Sequence, residues 1–314
     1  MLLAAGLGTR LRPLTSVRAK PAVPVNGRPL ARRILTWLVG YGIRDAIVNL
    51  HHRPETIAAV IGDGSDLGLR VRYSWEQPVL GSAGGPRHAL PLLTDGYDGP
   101  FLIVNADTLS TVDLHGLLAR HGQSRAAVTM ALIANPDPLK YGGVKVSPEG
   151  YVTGFARAGT PGESFHFVGV QAAEARAFAA LEDGVPAESV NALYPRLMAA
   201  EPGAIAAFVS DASFSDIGTP RDYLETSLAL ARIEGADLIS RRRVRVDDSA
   251  TIERTVVWDD VSIGRDARLI ECVVGDGARV PDGAGFERCV IVRRGPLAPA
   301  DGERVEGDLL IRPI

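Results

Sequence analysis

The sequence predicts two folds in series: an α/β domain with a mostly parallel sheet covered by helices, then a short triangular parallel β-helix. Two observations carry this. Over the first two-thirds, apolar runs rich in β-branched residues alternate with helix-patterned segments, as strand–helix–strand units do. From Val246 onward the chain repeats itself every 17 residues, as a solenoid does. The boundary is expected near Gly235, giving a first domain over 1–235 and a second over 236–314. The composition, 314 residues with 46% hydrophobic and 23% charged, suits a globular chain with one large domain and a smaller one.

Taken in order, the short apolar run at the N-terminus reads as a strand that begins at the first residue. So abrupt a start predicts that a few residues are missing ahead of it, and the run is too short and lacks the basic lead-in of a signal peptide. A glycine loop, Gly6-Leu7-Gly8-Thr9-Arg10, follows. Strands are expected at Ala46–Leu50, Leu69–Tyr73, Phe101–Val104 and Ala126–Ile133. Helices are expected at Leu30–Tyr41, Pro54–Ile61, Pro86–Leu93 and Leu114–His121, with Pro54 and Pro86 at first helical positions. From Tyr141 to Val170 the pattern becomes short strands with glycine turns. Helices at Ala173–Leu181 and Val190–Ala200, a strand at Ala204–Val209 and a helix after Pro220 complete the domain. Sheets of this kind bind ligands at the carboxyl ends of their strands.

In the last third, segments beginning at Val246, Ile263 and Val280 align at an offset of 17. Ile252, Leu269 and Phe286 then share a position, as do Ala250, Ala267 and Ala284, and Val257, Val274 and Ile291. Small residues alternating with aliphatic ones about every six suit a triangular parallel β-helix, one side per hexapeptide, with one corner a residue short. Thr255, Cys272 and Cys289 also align, so the two cysteines stack on neighbouring rungs and read as packed thiols. The open ends of so short a solenoid need covering by the other domain or another chain.

The net charge of −3 gives no basic excess for nucleic acid or a membrane surface. The densest basic run, Arg241–Arg243, reads as a solvated segment. No apolar run approaches the roughly 18 residues of a membrane span. Two cysteines make neither a disulfide framework nor a metal-ligand pattern, which fits a reducing compartment and a cytoplasmic location. All six histidines lie at or before His166, so the β-helix lacks the histidine base that acyl transfer normally uses.

The loop after the first strand invites a phosphate, because glycines let backbone N–H groups approach phosphate oxygens. It fits neither GxGxxG, since position 11 is Leu11, nor the GxxxxGK[ST] pattern. What remains is a glycine turn with Arg10, Arg12 and Lys20, cations that would neutralise a polyphosphate. His51 and His52 read as structural or exposed. Tyr141, Trp75 and Trp258 read as packing residues.

The stretch LLAAGLGTRLRPLTSVRAKPAVPVNGRPL (residues 2–30) closely resembles the signature of the sugar-1-phosphate nucleotidyltransferases, LAAGxGTRLxPLT…KPxxPVxGxPL. The resemblance continues through LGSAGG at 80–85, VNAD at 104–107, KYGGV at 140–144 and SDIGTP at 215–220. The tail resembles the β-helix of the mannose-1-phosphate guanylyltransferase branch. Residues 48–76 look somewhat like bacterial uridylyltransferases of cell-wall recycling. The resemblance implies a Rossmann-like mixed sheet of the GT-A-like type, followed by a left-handed, hexapeptide-type β-helix.

It also implies roles. Ala4, Ala5, Gly6, Gly8, Thr9 and Arg10 would cradle the nucleoside triphosphate, with Arg10 on the departing pyrophosphate. Lys20 would stabilise charge at the reacting phosphorus. Asp107 and Asp216 match the aspartates that hold Mg2+, an ion suited by carboxylates and substrate phosphates. The family's usual glycine stands here as Ala106. Glu76, Gly81, Ser82 and Ala83 match the region that reads base and ribose. Gly142 and Gly169 match glycines under the hexose. Where the family has Glu-Lys-Pro this chain reads GFARAGTPGE, so Arg157 replaces the phosphate-binding lysine, or a shift of one residue puts alanine there. Glu188 and Asn191 match a helix near the sugar pocket, without an assigned role.

The implied reaction joins an NTP to a sugar 1-phosphate and releases pyrophosphate, with GTP and mannose 1-phosphate the first choice. A uridylyltransferase, a heptose- or glucose-1-phosphate nucleotidyltransferase, or a non-catalytic nucleotide-sugar-binding regulatory paralogue is the alternative. The expected assembly is a homo-oligomer through the β-helix.

Overall fold

The computed structural model describes residues 1–240, 242–296 and 298–314. Packing groups them into two units. The first comprises Met1–Gly6, Ile34–Pro54 and Ile61–Phe214; the second comprises Leu7–Arg33, Glu55–Val60 and Ser215–Ile314. Among the described residues there are six α-helices: α1 (Leu30–Gly40), α2 (Pro54–Ile61), α3 (Gly81–Leu93), α4 (Leu114–Ser124), α5 (Tyr194–Ala200) and α6 (Pro220–Glu234).

The first unit is built on a nine-stranded mixed sheet. Its strands are β1 (Leu2–Leu3), β2 (Asp45–Leu50), β3 (Arg70–Trp75), β4 (Phe101–Asn105), β5 (Val128–Ala134), β6 (Gly143–Val146), β7 (Val152–Ala156), β8 (Phe165–Ala173) and β9 (Ile205–Val209). β3, β2, β1 and β4 run parallel in that order. β8 then joins antiparallel to β4 on one edge and to β5 on the other, and β5 carries β9 in parallel. β6 pairs with the start of β8, and β7 closes an antiparallel ribbon on β6. The near-continuous apolar runs of β2 and β4 follow from burial on both faces. Met130, Leu132, Ile205, Phe178 and Tyr194 fill the core beside them, and the Tyr194 hydroxyl donates to Gln171 Oε1 at 2.7 Å.

Three sequence expectations fail here, each through tertiary contacts. Helix α3 starts at Gly81, five residues ahead of Pro86, and carries Pro86 and Pro91 inside it. The segment 173–181 is mostly not a helix: Gln171–Ala173 pairs with both β4 and β5, and only a 3-10 turn, Ala175–Ala177, follows. The helix expected over 190–200 is divided into a π-helical turn at Ser189–Leu193 and the α-helix α5.

The second unit holds the β-helix. Its three faces stack in parallel at the predicted offset: Ile252 beside Leu269 beside Phe286, and Val257 beside Val274 beside Ile291. Corner residues in the left-handed backbone region recur with the same period, at Arg243, Asp260 and Gly277, and at Arg254, Glu271 and Arg288. Left-handed residues are single by nature, so each marks one turn between two flat sides. Corner charges pair between rungs at the same spacing, Arg254 with Glu271 at 2.9 Å and Arg265 with Asp282 at 2.7 Å. Arg243 is exposed and pairs with Asp260, while Arg241 of the basic run lies outside the described residues. The chain's own C-terminus meets the last rung, where Leu309–Pro313 pairs antiparallel with Cys289–Arg293 and Arg304–Glu306 pairs with it in turn. Helix α6 follows Pro220 as expected; a capping box between Thr219 and Asp222 starts it, and Gly235, in the left-handed region, ends it.

Cys272 and Cys289 are free, buried thiols on adjacent rungs. The Cys272 thiol donates weakly to the Ile270 and Phe286 carbonyls, and burial pushes its pKa up to about 11. In the native protein a disulfide-exchange reagent at pH 8 is expected to leave Cys272 unmodified over hours and to label it promptly in denaturant. Rapid native labelling, followed by mass spectrometry of the 272 peptide, would contradict this packing.

Candidate functional site

In the first unit the carboxyl ends of β1, β2 and β3 are tied by one buried side chain. Glu76, one residue past β3, is 1% exposed. Its Oε1 accepts from Asn49 Nδ2 at 2.6 Å, and its Oε2 accepts from the Leu80 amide at 2.8 Å. Asn49, on β2, accepts in turn from the Ala4 amide at 2.6 Å. The glycine at 85 is required by this contact, because a Cβ there would stand 2.6 Å from Glu76 Oε1. His51 Nδ1 lies 2.9 Å from the Glu76 carbonyl, which gives that histidine a structural place. Both Glu76 oxygens therefore tie the end of β3 to β2 and to the residue ahead of α3. Trp75, by contrast, is 51% exposed and is not the packing residue its sequence context suggested.

The first turn of α3 carries Gly81, Ser82 and Ala83. The segment 187–189 lies against it: Ala187 O accepts from the Ala83 and Gly84 amides, and Ser82 Oγ donates to Glu188 Oε2 at 2.7 Å. Ser82 Oγ also accepts from the Ser189 amide at 2.8 Å. Glu188, without a role in the sequence reading, thus fixes the Ser82 hydroxyl. Their separation of 106 residues hid this from any local pattern.

Asp107 follows β4 and is half-buried, with Thr108 Oγ1 donating to its Oδ1 at 3.0 Å. Gly169 interrupts the pairing of β8 at φ 77, and a Cβ there would meet the Asn105 side chain at 2.8–2.9 Å. Gly142 and Arg157 lie on one cavity of about 900 Å³, with Phe155, His166 and Asn191; Gly169 is not on it. Arg157 is exposed and follows directly on β7. His166 had no predicted role. Its ring packs 4.6 Å from both Tyr141 and Phe214, and burial holds its pKa below the usual imidazole value despite the Gly142 carbonyl.

In the second unit, the glycine loop turns at Gly8 into a 3-10 turn over Thr9–Leu11, and Thr15 Oγ1 donates to Gly8 O at 3.0 Å. Arg10 is exposed on this turn. Lys20 is only 7% exposed, and its Cβ lies 3.5 Å from where a Gly8 Cβ would be. Arg12 does not stand with them as a phosphate cation. It pairs with Glu303 through two bonds of 3.3 Å. Asp216 ends the short strand Phe214–Asp216, and a Cβ at Gly218 would lie 2.8 Å from its Oδ2. No three metal-capable side chains cluster among the described residues. Any ion bound through Asp107 or Asp216 completes its shell with substrate oxygens and water, and carboxylate donors suit a hard divalent cation.

The Glu76 bracket yields a test. Glu76→Gln keeps the shape but offers one oxygen to two donors, so either the Asn49 amide or the Leu80 amide is left unpaired. The expected cost is about 1–3 kcal/mol in denaturant unfolding. Wild-type stability in this variant would show that the bracket is dispensable.

Comparison with known proteins identifies the family. Residues 1–233 match the nucleotidyl transferase family model, and residues 231–287 match a GlmU-like C-terminal hexapeptide model. The chain is 31% identical over 299 residues to a mannose-1-phosphate guanylyltransferase of Mycobacterium tuberculosis, covering 92% of this chain and 82% of that one. It is 34% identical over 200 residues to an N-acetylmuramate alpha-1-phosphate uridylyltransferase of Neisseria meningitidis, covering 63% of this chain and 82% of that one. The solved structure of HddC from Yersinia pseudotuberculosis superposes with a TM-score of 0.63 at 22% identity, over 73% of this chain and 97% of that one, a likeness of fold. With the signature loop, the mixed sheet and the hexapeptide tail in place, the chain belongs to the nucleotidyl transferase family and is a sugar-1-phosphate nucleotidyltransferase.

Proposed function

We propose that this enzyme transfers GMP from GTP to mannose 1-phosphate, giving GDP-mannose and pyrophosphate. The observation that carries the choice is the extent of the alignment: 92% of the chain, β-helix included, aligns with a mannose-1-phosphate guanylyltransferase. A uridylyl reading is favoured by the higher identity of the Neisseria relative, which covers 63% of the chain. In both readings residues 1–235 form the catalytic portion and 236–314 the β-helix, through which the protein assembles as a homo-oligomer. The setting is the cytoplasm and the ion is Mg2+.

The chemistry is in-line attack by a sugar-phosphate oxygen on the α-phosphorus, and positioning with charge neutralisation carries it. Arg10 takes the departing pyrophosphate with its guanidinium fork. Lys20, buried and short of conformational freedom, holds its ammonium at the reacting phosphate. Ala4, Ala5, Gly6, Gly8 and Thr9 supply the close backbone approach to the triphosphate. Gly81, Ser82 and Ala83 face the base and ribose, with Glu76 holding them from behind. Gly142, Gly169 and Arg157 take the sugar phosphate. Asp107 and Asp216 are the carboxylates for the ion, whose contribution when bound is to neutralise phosphate charge.

The test is pyrophosphate release with Mg2+, crossing GTP, UTP, ATP, CTP and dTTP with a panel of sugar 1-phosphates. Release with GTP and mannose 1-phosphate is expected. Release with UTP alone would replace the guanylyl assignment by the uridylyl one. Asp107→Asn and Asp216→Asn are each expected to lower kcat by at least about a hundredfold while GTP still shifts the melting temperature. Full turnover in either variant would remove that aspartate from the ion site.

A further inference from the structure

The family signature places Lys20 in a loop, and a loop alone does not hold a four-carbon side chain in one place. Within the second unit the residues on both sides of Lys20 are gripped by the β-helix and α6. Two residues before it, Arg18 Nε donates to Asp276 Oδ2 at 2.5 Å. Arg18 Nη2 donates to Asp276 Oδ1 at 2.8 Å and to Asp259 Oδ2 at 2.7 Å. Four residues after Lys20, the Pro24 carbonyl accepts from Tyr223 Oη at 2.5 Å, and Trp258 Nε1 donates to the same Tyr223 oxygen at 2.8 Å. Trp258 is fully buried, and the Arg18 guanidinium lies 5.6 Å from its ring centroid.

The seat is a product of the repeat. Asp259 and Asp276 are 17 residues apart, so they occupy one position on adjacent rungs and stack their carboxylates. The Asp259 amide donates to Asp276 Oδ1 at 3.1 Å and Ser240 Oγ donates to Asp259 Oδ1 at 2.5 Å, which aims both groups. Two stacked carboxylates match the planar fork of an arginine and would repel each other without it. The three side chains are 15–22% exposed, so solvent screens the pairing little.

We infer that the β-helix positions the reactive lysine: Arg18 is a positioning residue seated on Asp259 and Asp276, and this clamp, with Trp258 and Tyr223 at the far end, fixes the segment 18–24 and thereby the Lys20 ammonium. The inference rests on the reading of Lys20 given under Proposed function. It gives the solenoid a part in turnover besides assembly.

The test uses the full-length enzyme and compares Arg18→Ala, the double variant Asp259→Asn/Asp276→Asn, and Arg265→Ala, which breaks an exposed ion pair elsewhere on the same β-helix. All are assayed well below their melting temperatures. The two clamp variants are expected to lose between about ten- and a hundredfold in kcat, with KM for both substrates within about twofold of wild type. Arg265→Ala is expected to keep wild-type kcat. Unchanged kcat in the clamp variants, a loss confined to KM, or an equal loss in Arg265→Ala would overturn the proposal. Lys20→Ala separates the premises. If it turns over normally, the reading of Lys20 fails; if it is inactive while the clamp variants are not, only the clamp fails.

Discussion

The sheet edge of the first unit depends on one buried carboxyl group. Glu76 gathers Asn49 and the Leu80 amide, and Asn49 gathers Ala4, so three strand ends and the approach to α3 share a single polar knot. A carboxyl group withdrawn from water is tolerable only with its oxygens satisfied, and here one partner stands 27 residues before it on β2 and the other four residues after it. The glycine at 85 follows from the same knot, since any side chain there would collide with it. Loops at the carboxyl edge of a parallel sheet are free to vary. This one is held at its root, which leaves Ala4, Gly81 and Ser82 in defined places.

Much of this was legible before any coordinates. Helix α2 carries the predicted bounds, because Pro54 and the apolar spacing behind it are local signals. The β-helix register was legible to the residue, because a solenoid rung contacts only its neighbours and period alone fixes the stacking. Asp107 was legible as a strand-end carboxylate because the run before it is apolar on both faces.

What escaped the sequence was decided by residues far apart along the chain. Helix α3 begins among glycines, where propensity argues against it, because segment 187–189 and Glu76 supply the contacts that order it. Gln171–Ala173 looked helical from spacing and is strand, because two neighbouring strands claim its backbone. Arg12 looked like a third phosphate cation, and its carboxylate partner lies 291 residues away. Arg18 carries no local signal, since its two aspartates form a pair only once the rungs are stacked.

These last two arginines change how the signature is to be understood. Arg12 and Arg18 face carboxylates of the same unit, and Arg312 also donates to the Arg12 carbonyl at 3.1 Å. Arg10 lies on an exposed turn, while Lys20 is nearly buried between two clamped flanks. A run of basic residues beside a glycine turn is thus no uniform patch of positive charge. Some of its cations are spent on fixing the loop so that others are placed. A flexible loop would lose that placement to conformational entropy, of the order of 1–2 kcal/mol for each residue left unfixed. A repeat of 17 residues is an economical source of the required seat, because stacking two rungs presents two carboxylates at a spacing set by the strands themselves. The solenoid and the glycine loop's basic flank are therefore best understood as parts of one unit, with the repeat supplying rigidity that the loop's own glycines cannot.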